Sequence, residues 1–168
     1  TFPKNKIDMN KYMKKILIDY NYQSMNFLTS CNLKKNYYNQ AMKLNELPTK
    51  IPVFPLSNFI MFPGTTVPLN IFEPRYLQMV NDSMKKHRMI GMIQPKKSGK
   101  LKKPDLYKVG CIGKITSFNE TEDGRYLIII NGISRFNVDK EIETDKLYRM
   151  CKVNYQNYAK DLDNKIEK

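Results

Sequence analysis

The sequence predicts a mainly β domain, a small barrel or sandwich of about six strands with one α-helix set into it. Short apolar runs recur between turn signals from Ile51 to Tyr155, the spacing of strands in a barrel or sandwich. Within that region only Pro74 to Lys86 keeps a helical apolar period. Proline recurs at 52, 55, 63 and 68, and each lacks an N–H, so these strands are expected at edges or bulges, as at a barrel rim.

Residues 1–47 form a basic extension rich in Asn, Lys and Tyr. A helix is expected from Asp8 as N-cap, with Tyr12, Ile16 and Tyr20 on one stripe, and Asn21 to Gln40 then lacks a sustained period. Two apolar runs follow, Ile51–Leu56 and Phe59–Phe62, and lead into Phe62-Pro63-Gly64. There Pro63 pre-sets the first corner of a turn and Gly64 accepts the positive φ of the second. A third run, Val67–Phe72, enters the helix at Glu73-Pro74-Arg75-Tyr76. Pro74 suits the first helical turn, Glu73 complements the dipole there, and Tyr76, Leu77, Met79, Val80 and Met84 make the core-facing stripe. Lys85, Lys86 and Arg88 sit at the carbonyl end with His87, a surface charge.

Met89–Gln94 is a short buried strand, and Pro95–Asp105 a solvated loop with Lys96, Lys97, Lys100, Lys102 and Lys103. Tyr107–Phe118 is a strand with bulge or close-approach points at Gly110 and Gly113. Asn119–Gly124 is a hairpin loop whose Asp-Gly supplies positive φ, and Arg125–Asn131 pairs back. Gly132 is expected to end that strand. Ser134–Ile142 then alternates with Phe136, Val138 and Lys140 on one face, and Leu147–Tyr155 with Leu147, Arg149, Cys151, Val153 and Tyr155 in phase. Residues 159–168 are polar and helical in character.

Composition narrows the function. With 168 residues one domain is the natural count. A formal charge of +13 favours acidic surfaces, nucleic acid and anionic lipid among them. No apolar run approaches the roughly 18–20 residues that span a bilayer, and the N-terminus lacks a secretory cleavage site, so the expected location is the cytoplasm. Cys31, Cys111 and Cys151 are scattered, with one His, which argues for free thiols and against a closed metal site. There is no phosphate-cradling loop ending in Gly-Lys-Ser or Gly-Lys-Thr, and no serine stands in a GxSxG elbow. No cofactor, metal or catalytic residue is expected.

The ordered strings IPVFPL, FPG, VPLNIFEPRY, MIGMIQP, YKVGCIGKI, DGRYLIIINGISRF and YRMCKV resemble the N-terminal substrate-binding domain of the Lon protease family over roughly residues 48–158. The resemblance implies a partly open, PUA-like β-barrel used to recognise protein, without the ATPase and peptidase domains that follow it in full-length Lon. It also places the expected start of such a domain at Met42, so the upstream stretch is either a non-native extension or an ordinary basic tail. By the same comparison the C-terminus is expected to stop short of a complete unit.

The functional expectation is reversible binding of unfolded or apolar polypeptide, linked to a protease encoded separately. Phe59, Met61 and Phe62 are the candidate contacts. Pro63, Gly64, Glu73, Pro74, Arg75 and Tyr76 are structural, with Glu73 and Arg75 a lock where strand meets helix. Two other readings stand beside this one. The first is RNA binding through Lys96, Lys97, Lys100, Lys102 and Lys103, although the run lacks aromatic residues for base stacking. The second is a scaffold for one folded partner.

Overall fold

In the computed structural model, residues 43–96 and 103–162 are described. The helix expected from Asp8, together with Cys31, Lys97, Lys100, Lys102 and residues 163–168, lies outside them. The strands are β1 (Lys50–Pro55), β2 (Thr66–Ile71), β3 (Met89–Pro95), β4 (Leu106–Glu120), β5 (Tyr126–Ile142) and β6 (Arg149–Asn154). One α-helix, α1 (Pro74–Met84), lies between β2 and β3, and 3-10 turns cover Leu44–Glu46 and Gln156–Leu162.

The strand order is β2-β5-β4-β3-β1-β6, and β6 pairs again with β5. That last pairing closes β1, β3, β4, β6 and the second half of β5 into a ring, the barrel rather than the sandwich. The first half of β5 pairs with β2 on one side and with the end of β4 on the other. All pairs are antiparallel except β1 with β3.

Two cores lie on the two faces of this sheet. Ile51, Val53, Met89, Ile93, Ile112, Phe136, Cys151 and Val153 pack in one cluster, inside the ring. Phe54, Ile90, Met92, Cys111, Ile115, Ile128 and Ile130 pack outward with Tyr76, Met79 and Val80 of α1. Strand β3 feeds both, with Met89 and Ile93 inward and Ile90 and Met92 outward. A strand buried on both faces has no polar side, which is why MIGMIQ reads as a continuous apolar run.

Several sequence expectations are corrected. The two strands expected at 125–131 and 134–142 are one, β5, and Gly132 is an irregularity inside it where the register with β4 shifts. Of the prolines, Pro68 does lie on an edge, since β2 pairs only with β5. Pro52 and Pro55 lie in β1, which is flanked on both sides. They are tolerated because the ladder to β3 begins only at Val53 and Pro55 ends the strand. The run Phe59–Phe62 is not a strand but a loop laid over the sheet. Lys140 and Leu147 are exposed, and Tyr148 takes the buried place near the start of β6.

The helix begins with Glu73 as N-cap and Pro74 in its first turn. It ends at Met84, two residues before the expected Lys86. Arg88 takes φ 57°, and its N–H reaches the Ser83 carbonyl at 2.9 Å, so a left-handed residue closes the helix end.

Candidate functional site

The loop joining β1 to β2 is stapled to the bulge in β5. Thr65 N–H donates to the Phe62 carbonyl at 3.2 Å with Gly64 at φ 75°, a type II turn with Pro63 at its first corner. The Thr65 hydroxyl donates to the same carbonyl at 2.6 Å and accepts the Phe62 N–H at 3.3 Å. Gly64 N–H then donates to Gly132 O at 3.0 Å, and Gly132 N–H to Thr65 O at 2.8 Å. A Cβ on residue 132 would stand 2.2 Å from the Phe62 carbonyl oxygen, so only glycine lets the loop sit this close.

Held there, the loop forms one wall of a groove of about 560 Å³. Met92, Ile93 and Gln94 of β3 and Tyr107 to Cys111 of β4 line it, with Arg135 of β5. Phe59, Met61 and Phe62 all line this groove, but in different ways. Met61 is buried, and its methyl would stand 2.8 Å from a Cβ on residue 113, so it is floor rather than contact. Phe59 is half-buried against the helix-side core. Phe62 is 57% exposed.

Sequence reasoning missed three exposed apolar side chains of the groove, Ile60, Tyr107 and Val109. Tyr107 and Val109 stand two apart on β4, hence on one strand face, and an apolar pair there was the signal that would have found them. Cys111, in the floor, is held up at about 12 by burial and is no nucleophile at neutral pH. Among the described residues no cluster of His, Cys, Asp or Glu is placed to hold a metal.

Of the residues read as structural, Pro63 and Gly64 shape the loop wall, whereas Glu73, Pro74, Arg75 and Tyr76 are outside the groove lining. Arg75 Nη2 meets Glu73 Oε2 at 2.7 Å, and the guanidinium lies 4.6 Å from the Tyr76 ring centroid. Tyr76 is buried, with its ring 4.2 Å from that of Phe54. Burial, the largest influence, raises its pKa, while the nearby Arg75 opposes the shift.

The lysine run divides. Lys96 is exposed and follows β3, whereas Lys103 Nζ is paired with Glu141 Oε1 at 2.7 Å. Glu141 also receives Arg149 at 2.6 Å, and these hydrogen bonds hold its carboxyl below the usual range, Arg149 contributing most. Arg135 is occupied as well. Its Nη2 meets Asp161 Oδ1 at 2.6 Å, its Nε meets Oδ2 at 2.9 Å, and its guanidinium lies 4.7 Å from the Tyr158 ring.

A family model described as the ATP-dependent protease La (LON) substrate-binding domain matches residues 50–168. A Lon protease of Parabacteroides distasonis is 31% identical over 124 residues, 72% of this chain and 15% of that protein. A Lon protease of Cytophaga hutchinsonii is 30% identical over 114 residues, 67% of this chain and 14% of that protein. The chain thus spans only a small fraction of these proteases. The crystal structure of a Lon N-terminal domain protein from Xanthomonas campestris superposes with a TM-score of 0.53 at 27% identity, covering 64% of this chain and 60% of that one. Among the described residues no helix is long and apolar enough to cross a membrane.

Proposed function

This chain belongs to the ATP-dependent protease La (LON) substrate-binding domain family, and from that premise we propose that it is a non-catalytic module that binds unfolded or apolar polypeptide in the groove beside the Phe59–Phe62 loop. Residues 48–158 form the binding unit in this reading. It acts in the cytoplasm and passes clients to a protease encoded separately. The single observation that carries the proposal is the exposure of Ile60 (60%), Phe62 (57%), Tyr107 (50%) and Val109 (44%) around one concave surface. A continuous apolar hollow of this kind marks a place where apolar partner surface leaves water. The loop wall is fixed by backbone hydrogen bonds, so little ordering cost falls on the protein when a segment docks.

The test is binding of a permanently unfolded, reduced polypeptide to the full chain and to an Ile60→Ser/Phe62→Ser variant. Both side chains are largely exposed, so the double variant keeps its stability within about 1 kcal/mol. Binding that persists in moderate salt and weakens about tenfold or more in the variant supports the groove. Equal binding by both proteins removes it. The RNA alternative is less favoured, because the basic run from Lys85 to Lys103 has no Phe, Tyr or Trp on which a base could stack.

A further inference from the structure

We infer that the preferred occupant of the groove is an apolar segment flanked by acidic residues, a selectivity that rests on the reading of the groove as a polypeptide site. The charged side chains in its lining are Lys96, Lys108 and Arg135, and no carboxylate is among them. Arg135 is consumed by its two-pronged pairing with Asp161. Lys96 and Lys108 are exposed, and among the described residues neither takes part in an ion pair. The first follows the end of β3, and the second stands between Tyr107 and Val109 on β4, on the opposite strand face and at the border that the groove shares with a second hollow. The apolar side chains Ile60, Phe62, Tyr107 and Val109 thus share a groove whose border carries two unpaired lysines.

An occupant apolar in its middle and anionic beside it meets both chemistries. A cationic flank would face like charge, and a neutral one would leave the lysines with water. A polyphosphate chain fits less well. It brings no apolar portion to Ile60, Phe62, Tyr107 and Val109, and a second hollow that Lys96 and Lys108 also border contains Asp105, Asp139 and Glu141, so only a short acidic flank, and not a long run of anions, is accommodated there.

The experiment measures fluorescence anisotropy of labelled peptides sharing one apolar core and flanked by aspartates, serines or lysines, titrated with the full chain. The aspartate-flanked peptide is expected to bind about three- to tenfold tighter than the serine-flanked one at low salt, a few exposed ion pairs' worth. The lysine-flanked peptide binds weakest, and the spread narrows as salt rises. In a Lys96→Glu/Lys108→Glu variant the order of the aspartate- and lysine-flanked peptides, each taken relative to the serine-flanked one, inverts. An aspartate peptide whose core is replaced by serine binds more weakly than the intact one, which separates this selectivity from general attraction to a chain of charge +13. Equal affinity for the three flanks, or an acid preference untouched by the double variant, overturns the inference and leaves the groove reading standing. Failure of all three peptides to bind overturns both. Displacement of the aspartate peptide by a single-stranded RNA that binds tighter overturns the choice of a peptide over a nucleic acid.

Discussion

The inside of the ring and the layer under α1 are two cores on one sheet, and they are filled differently. Inside the ring Ile51, Val53, Ile112, Phe136 and Val153 are each 1% exposed or less, mostly branched or aromatic side chains with few rotamers. Phe136 lies against both Gly91 and Gly110, and a Cβ on residue 110 would stand 2.4 Å from its Cζ. The helix-side layer buries three methionines, Met61, Met79 and Met92, against one, Met89, in the ring, and half-buried Phe59, Met84 and Met150 lean on it. Methionine adapts its shape, so this layer can accommodate displacement at lower cost. Met61, Met92 and Cys111 belong to that layer and line the groove as well. The ring holds the shape, and the adaptable layer carries the candidate site.

That contrast is most easily broken inside the ring. Phe136→Ala removes the largest fully buried side chain there and is expected to cost about 3–5 kcal/mol, read as a lowered urea midpoint. The matched truncation in the other layer, Met79→Ala, is expected to cost less, about 2–3 kcal/mol, because the methionines around it can close part of the cavity, and equal losses for the two would erase the distinction. Next in size is Gly132→Ala. The new methyl drives against the Phe62 carbonyl, so a loss of about 1–3 kcal/mol should come with weaker polypeptide binding. Binding unchanged in a destabilised Gly132→Ala protein would show that the loop wall does not form the site.

Titration sharpens the comparison further. Burial raises the pKa of Tyr155 in the ring and of Tyr148 in the helix layer, Tyr148 being raised also by its hydrogen bond to Asp82 at 2.8 Å. Raised acids keep their protons in the folded state, so their contribution is intact below about pH 10, the ordinary tyrosine value, and declines as pH rises beyond it. Base titration followed by tyrosinate absorbance should therefore show these two ionising only as the fold opens. Replacement of both by Phe should move the alkaline transition upward, and an unmoved transition would rule out this account.

The smallest effect lies at acid pH. The hydrogen bond from Arg135, foremost, keeps the Asp161 carboxyl below the usual value, and the pair fastens the Gln156–Leu162 turn to β5. A lowered carboxylate contributes fully above its unfolded pKa of about 4, and the contribution is lost as pH falls through the folded value. Amide protection factors in that turn, taken against the intrinsic rate at each pH, should fall on acidification before those of the ring respond. In Asp161→Asn the exchange should already be raised at neutral pH.

Much of the fold was legible because its signals are local. Pro63-Gly64 and Asp123-Gly124 announce turns whose glycines do take positive φ. The 3.6-residue stripe of α1 and the apolar run of β3 are similarly direct. Gly132 shows where such reading stops. A glycine at the end of an apolar run resembles a strand terminus, but here the demand for glycine comes from the Phe62 carbonyl, seventy residues away in the chain. Met61 and Phe62 are neighbours of similar hydrophobicity, and no local rule sends one into the floor and leaves the other in water.

The sequence by itself determined the mainly β class, the place of the single described α-helix, the turns and the family likeness, because each rests on residues close together in the chain. Tertiary structure alone decided that β6 returns to β5 and closes the ring, and that the Phe59–Phe62 run becomes a wall instead of a strand. It also decided which basic side chains remain available, Lys103 and Arg135 being taken by Glu141 and Asp161. Each of those outcomes depends on pairing between distant residues, where the geometry of approach and not the identity of neighbours sets the free energy.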